Sequence, residues 1–238
     1  MRDSVLALRT APAAAVCGPA QRVTRSLLGY GVAAGPFYVL VVLGQAAIRP
    51  GFDLTRHDAS LLSNGSLGWI QVANFLLTGA MVVASAVGVR RALRAGPGAT
   101  WGPLLLVLFG LGMIGAGIFV ADPMNGFPAG APEGQPTTIS GHGLLHLACA
   151  GLGFVGFAAA TFVIARRFAH ERRATWAWFS RATGVAFLAG FAGLASGSSS
   201  PLVVLAFWAV LLLAWAWLAA LAIDLLRRSV EGSPLEVR

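Results

Sequence analysis

Apolar residues run along this chain in six long blocks, at about residues 27–48, 68–89, 102–121, 141–165, 179–197 and 201–226, with polar stretches between them. A helix crosses a bilayer core with roughly 20 apolar residues. Each block therefore predicts a membrane-crossing helix, and the whole pattern predicts an all-α polytopic membrane protein, a bundle of six transmembrane helices. The fifth block is the weakest, being short, rich in Gly and Ala, and closed by Ser198-Ser199-Ser200 before Pro201. Gly193 and Gly197 lie four apart in it and would allow close helix contact. The expected division is a basic tail without regular structure over 1–26, a membrane domain over 27–226 and a C-terminal tail over 227–238. No connection is long enough for a soluble domain.

Composition agrees with the pattern. The chain is 57% hydrophobic and 11% charged, with a mean hydropathy of +0.75, where soluble domains carry about 25% charged residues. The expected partner is thus the lipid bilayer. All 17 basic residues are Arg, and the net charge is +8. Arg2, Arg9, Arg22 and Arg25 precede the first block, and Arg90, Arg91 and Arg94 follow the second. Arg166, Arg167, Arg172, Arg173 and Arg181 lie between the fourth and fifth, and Arg227, Arg228 and Arg238 end the chain. Only Arg49 and Arg56 fall on the other side. The positive-inside rule then places both termini in the cytoplasm of a multi-pass plasma (inner) membrane protein. Arginines that flank spans, without interleaved aromatics or a recognition fold, also exclude a nucleic-acid partner. Trp69, Trp101, Trp176 and Trp178 sit near block ends, as interfacial anchors do.

Two cysteines, Cys17 and Cys149, offer no disulfide framework. Residues 1–26 do not read as a signal peptide, because Arg9 and Pro12 interrupt the apolar run and Val16 stands where a lipoprotein cleavage site wants a small residue.

With this topology the polar residues sort by side. Arg49, Asp53, Arg56, His57, Asp58, Ser60, Ser63 and Asn64 share the first outer loop, and Asp122, Asn125, Glu133 and Ser140 the second. His142 and His146, one helical turn apart, open the fourth block on that same side. His170 falls among cytoplasmic arginines as a solvated residue. Two helices also carry polar or small stripes: Gln71, Asn74, Thr78 and Ser85, and then His142, His146, Cys149, Gly153, Gly156 and Ala160. Such faces pack inward in membranes.

These residues also carry a resemblance. The run Arg49-Pro50-Gly51-Phe52-Asp53, His57 with Ser60, Gly68-Trp69-Ile70-Gln71, Asn74-Phe75, Gly79, Asp122-Pro123 and His142-Gly143 with His146 together resemble the prokaryotic membrane proteins grouped as domain of unknown function 998. The resemblance covers about residues 27–226. It implies six helices and an outer-face polar cluster, and it supplies no activity. Asp58 stands where members more often carry proline, so Asp53 and Asp122 weigh more than Asp58.

Several chemistries fit the outer cluster. His142 and His146 at i and i+4, with Asp122 and His57 as the further candidates, form a candidate metal set for Zn²⁺ in which three protein ligands would leave one open position. A bound water there would hydrolyse a lipid or other amphiphile. Arg49, Asp53, Ser60, Gln71 and Asn74 are the candidate outer-layer or substrate residues. A non-catalytic site that binds or transports a small amphiphilic molecule is the alternative. Haem fits poorly because both membrane histidines share one helix, and no nucleophile-elbow context surrounds Ser60 or Ser63. A purely structural reading also stands, in which His57, Asp122, His142 and His146 pin the outer loops to the bundle. Asp224, followed by Arg227 and Arg228, reads as a local helical ion pair.

Overall fold

A computed structural model describes residues 18–198 and 200–231. Among them six long helices follow one another: α1 (Pro19–Ile48), α2 (Gly68–Leu93), α3 (Trp101–Ile118), α4 (Gly141–His170), α5 (Ala174–Ala195) and α6 (Pro201–Glu231). A short 3-10 turn (Ala59–Ser63) lies between α1 and α2, and no strand occurs among the described residues. By length and composition α1, α2, α3, α4 and α6 are apolar enough to cross a membrane. The fifth helix is not in that group; Ser180, Arg181 and Thr183 interrupt its apolar run.

Each helix packs on its neighbour in sequence, and α6 closes the ring by packing on α1. One end carries the α1–α2, α3–α4 and α5–α6 connections and is called the mouth below. The other carries the α2–α3 and α4–α5 connections and the first turn of α1. Every described arginine except Arg49 and Arg56 belongs to this second end.

Three glycine contacts set the ring's tightness. A Cβ on Gly79 of α2 would stand 2.6 Å from the Gly110 carbonyl of α3, and one on Gly110 would stand 2.7 Å from the Gly79 carbonyl. On the next interface a Cβ on Gly112 would meet the Cys149 carbonyl and the Gly153 Cα of α4, both at 2.7 Å. Backbones approach this closely where lipid supplies no hydrophobic drive between helices and van der Waals contact must do it.

At the arginine end the helices run past the apolar blocks. The first helix begins at Pro19, so the expected tail over 1–26 is helical from that residue on; residues 1–17, with Cys17, lie outside the described ones. Proline suits a first helical turn because that turn's N–H groups have no intrahelical partner. The Gln21 side-chain amide donates to the Ser229 carbonyl, and Arg91 reaches the Thr24 hydroxyl (3.0 Å) and the Ala20 carbonyl (3.3 Å). Asp224 does more than pair locally. Arg173 of α5 grips both its oxygens at 2.7 and 2.8 Å, Arg228 adds 2.8 Å, and Arg228 also reaches Glu171, itself 2.8 Å from Arg167. This network ties the ends of α4, α5 and α6 together.

Gly112→Leu is therefore expected to destabilise the detergent-solubilised protein by at least about 2 kcal/mol, the scale of overpacking against unyielding backbone. Gly44→Ala, where a Cβ meets nothing within 4 Å, is expected to be neutral. Thermal unfolding followed by size exclusion checks both, and equal midpoints would contradict the packing account.

Candidate ligand-binding site

At the mouth the two long connections fold into one cap. Its centre is Arg49, the residue after α1. The buried guanidinium donates to the carbonyls of Leu62 (3.0 Å) and Asn64 (2.6 Å), oxygens that the short 3-10 turn leaves unpaired at its end. It also lies over the Phe127 ring at 5.0 Å, a cation–π contact that brings in the second loop. Among the described residues no carboxylate pairs with it, and desolvation pulls its pKa down.

His57 is the second joint. Its Nδ1 accepts the Asp53 N–H (2.9 Å), which leaves the proton on Nε2, and Nε2 donates to the Asn125 carbonyl (2.9 Å). Both ring nitrogens are thus used within the cap, and the ring packs between Phe52 and Phe127. Asp53 turns outward, where the Thr55 N–H and hydroxyl both bond Oδ1 at 2.8 Å and hold its carboxyl below the usual range. Asp58 caps the 3-10 turn by accepting the Ser60 N–H at 2.8 Å, and the Ser63 hydroxyl donates to the Ser60 carbonyl at 2.6 Å.

Asp122 closes the second loop onto α4. Its Oδ2 accepts the Ser140 N–H at 2.9 Å, and the Ser140 hydroxyl in turn accepts the Gly143 N–H at 2.9 Å as the helix cap. A carboxylate at a helix N-terminus meets unpaired donors and the positive end of the macrodipole. The fit requires Gly143, since a Cβ there would overlap the Asp122 carboxylate.

The two histidines that open α4 part company. His142 is exposed, beside the Phe119 ring at 5.8 Å. His146 is 3% exposed and turns to α3, its Nδ1–H shared between the Ala116 (2.9 Å) and Phe119 (2.8 Å) carbonyls. These are orphan acceptors of the last turn of α3. Only Nε2 is left for a ligand. Among the described residues no three His, Cys, Asp or Glu side chains come together to hold a metal. His57 has both nitrogens hydrogen-bonded, and His142 and His146 face different surroundings, so the residues of the expected zinc set do not fit Zn²⁺ as a group.

What the fold builds instead is a cavity of about 440 Å³ behind the cap, within the 300–1,000 Å³ usual for small-molecule sites. Its inner wall is apolar: Phe75 of α2, Phe109 and Met113 of α3, Phe154 of α4, and Phe207, Leu211 and Trp215 of α6. Its outer rim is polar, formed by Arg56, Asp58, Ser60, Asp122, Asn125, Gln135 and His146. Ser60, Asp122 and His146 of the expected set line it; Arg49, Asp53, His57 and His142 do not. Gln71 and Asn74 lie beside it in a buried chain. Gln71 Oε1 accepts from Gln45 (2.8 Å) and Asn74 (3.3 Å), Asn74 also donates to the Tyr38 carbonyl (3.2 Å), and Thr78 donates to Asn74 (3.1 Å). Gln45 and the aromatic wall were not signalled by the pattern of charges and histidines. A glutamine inside an otherwise apolar block was the one cue for Gln45.

Arg49→Met would strand two carbonyls under the cap, at an expected cost of about 3 kcal/mol, the upper range for a charged hydrogen-bond donor. Arg49→Lys should recover only part of it, because an ammonium lacks the guanidinium fork. The thermal midpoint of each variant measures this, and an unchanged midpoint for Arg49→Met would remove Arg49 from the centre of the cap.

No curated protein and no solved structure matches the chain. The model of one family, described as Protein of unknown function (DUF998), matches residues 32–224, nearly the whole described bundle from within α1 to within α6. The chain belongs to that family.

Proposed function

We propose that this protein is a six-span protein of the cytoplasmic membrane that holds one amphiphilic small molecule in the capped cavity, with both termini cytoplasmic. The cavity carries the reading. An apolar interior of this size, closed at one end by packed aromatics and rimmed at the other by acceptors and amides, matches a molecule with one apolar tail and one polar head. The arginines support the orientation, since positive residues are retained on the cytoplasmic side, and the mouth then faces outward. Length supports the sixth span: α5 has 22 residues, about 33 Å at 1.5 Å per residue, and its neighbours α4 and α6 flank it.

Binding is favoured over metal-assisted hydrolysis by the same geometry. His57 and Arg49, both buried, are occupied in holding the cap. The residues that reach the cavity are positioned to hold a head group.

Two measurements test this. With Cys17→Ser and Cys149→Ala as background, Thr137→Cys should react with a membrane-impermeant maleimide in intact cells and Ala95→Cys only after permeabilisation. The reverse pattern would invert the orientation. For the cavity, dodecyl maltoside brominated on its chain should quench tryptophan fluorescence in a saturable step that Trp215→Phe removes and Ala150→Phe, which fills the cavity, weakens about tenfold, the loss expected when about 1.4 kcal/mol of apolar contact is excluded. Quenching that rises without saturation, alike in all three proteins, would defeat the pocket.

A further inference from the structure

The rim of the cavity has a sign. The chain as a whole carries a net charge of +8, yet the cavity is lined by two carboxylates, Asp58 and Asp122, and one arginine, Arg56. Arg56 is itself paired, 3.3 Å from Glu133, with both side chains largely in solvent. The two aspartates have no such partner. Among the described residues no basic side chain forms an ion pair with either; each accepts one backbone N–H, through Oδ1 of Asp58 and Oδ2 of Asp122. Each therefore keeps one carboxylate oxygen with no protein donor among the described residues.

His146 supplies the independent observation. It is 97% buried and lines the cavity. Its Nδ1–H is committed to the Ala116 and Phe119 carbonyls, which fixes the tautomer and presents Nε2 as a lone pair. No protein donor reaches Nε2 among the described residues. A buried acceptor left open at a cavity wall lacks its hydrogen bond until a ligand or water provides a donor. Beside the neutral Ser60, Asn125 and Gln135, the rim thus offers two carboxylate oxygens and one imidazole lone pair as acceptors, two of them anionic. With Arg56 paired to Glu133, the unpaired charges of the rim are both negative and repel a phosphate, sulfate or carboxylate head.

The cavity's depth limits the rest of the ligand. Along α6 the lining runs from Val204 to Trp215, roughly 16 Å at 1.5 Å per residue. That is close to the ~15 Å of one leaflet, half of a ~30 Å hydrocarbon core.

Resting on the pocket reading above, we infer that the occupant is a single-chain amphiphile with a protonated amine head, drawn to the rim that Asp58, Asp122 and His146 line, while its alkyl chain lies against Phe109, Phe154 and Trp215. The binding is non-covalent and needs no co-reactant. It also gives Asp122 a second task besides tethering Ser140, through the oxygen that the tether leaves open.

Head-group comparison tests this in the full-length protein held in phosphatidylcholine nanodiscs, with empty discs as the partition control. The probes are ω-bromododecylamine, ω-bromododecanol and ω-bromododecyl sulfate, read by tryptophan quenching. The amine should half-saturate at a concentration at least about tenfold below the alcohol, as charge-assisted hydrogen bonds imply, with the sulfate weakest. In Asp58→Asn/Asp122→Asn, where the amide oxygens preserve both backbone caps, the amine and alcohol should converge to within about threefold, since only the charge is lost. Saturable quenching with equal amine and alcohol, or with the alcohol or sulfate tightest, overturns the head-group inference and leaves the pocket standing. No saturable quenching by any chain overturns the pocket itself. The wild-type comparison alone decides the matter if the double variant fails to fold.

Discussion

A helix that ends inside or beside a bilayer leaves carbonyls without partners, and the mouth of this protein is organised around supplying them. Water is scarce there, and each unpaired backbone group carries a penalty of a few kcal/mol. Three buried side chains answer the demand. Arg49 takes the carbonyls of Leu62 and Asn64, His146 those of Ala116 and Phe119, and His57 that of Asn125. Arg49 thereby folds its own loop onto the end of α1, while His57 joins the two loops and His146 joins α4 to α3.

That constraint explains the division of labour among the polar residues. Groups whose hydrogen-bonding capacity is consumed by the backbone form the cap: Arg49, His57 and one oxygen each of Asp58 and Asp122. Asp58, Asp122 and His146, which keep some of that capacity, line the cavity. A neutral imidazole suits this double role. Its protonated nitrogen satisfies α3, and the other is thereby an acceptor, so a structural bond dictates the chemistry offered to a ligand.

The cavity has a packing cause as well. Around α2, α3 and α4 the glycines Gly79, Gly110, Gly112 and Gly153 bring backbones into contact, and little space is left between those helices. On the far side large rings meet instead. Phe154 contacts Phe187, Phe191 and Phe207, and Phe109 contacts Trp215, with ring centroids 5.1–5.9 Å apart. Rings set edge to face hold their helices further apart than glycine seams do. The cavity lies among these rings, under the cap.

Much of this was legible from residue order alone. Apolar block lengths and arginine placement set the helix count, the order and the shared end of the arginines, because lipid solvation acts on each segment by itself. The same pattern placed His57, Asp122, His142 and His146 at one end of the bundle. It offered a metal set and a structural network as alternatives for them, and it could not choose, because sequence spacing fixes which face of a helix a residue occupies, not which hydrogen bond claims its side chain. His146 and His142 are one turn apart, yet one is drawn to the orphan carbonyls of α3 and the other stays in solvent. Asp224 keeps the expected local pair with Arg228, and beyond it binds Arg173, at the start of α5, through both oxygens, a contact that sequence spacing does not signal. The existence of the helices was a local property. The cavity, its acidic rim and the tautomer of His146 are properties of distances between segments, and only the packed ring decides them.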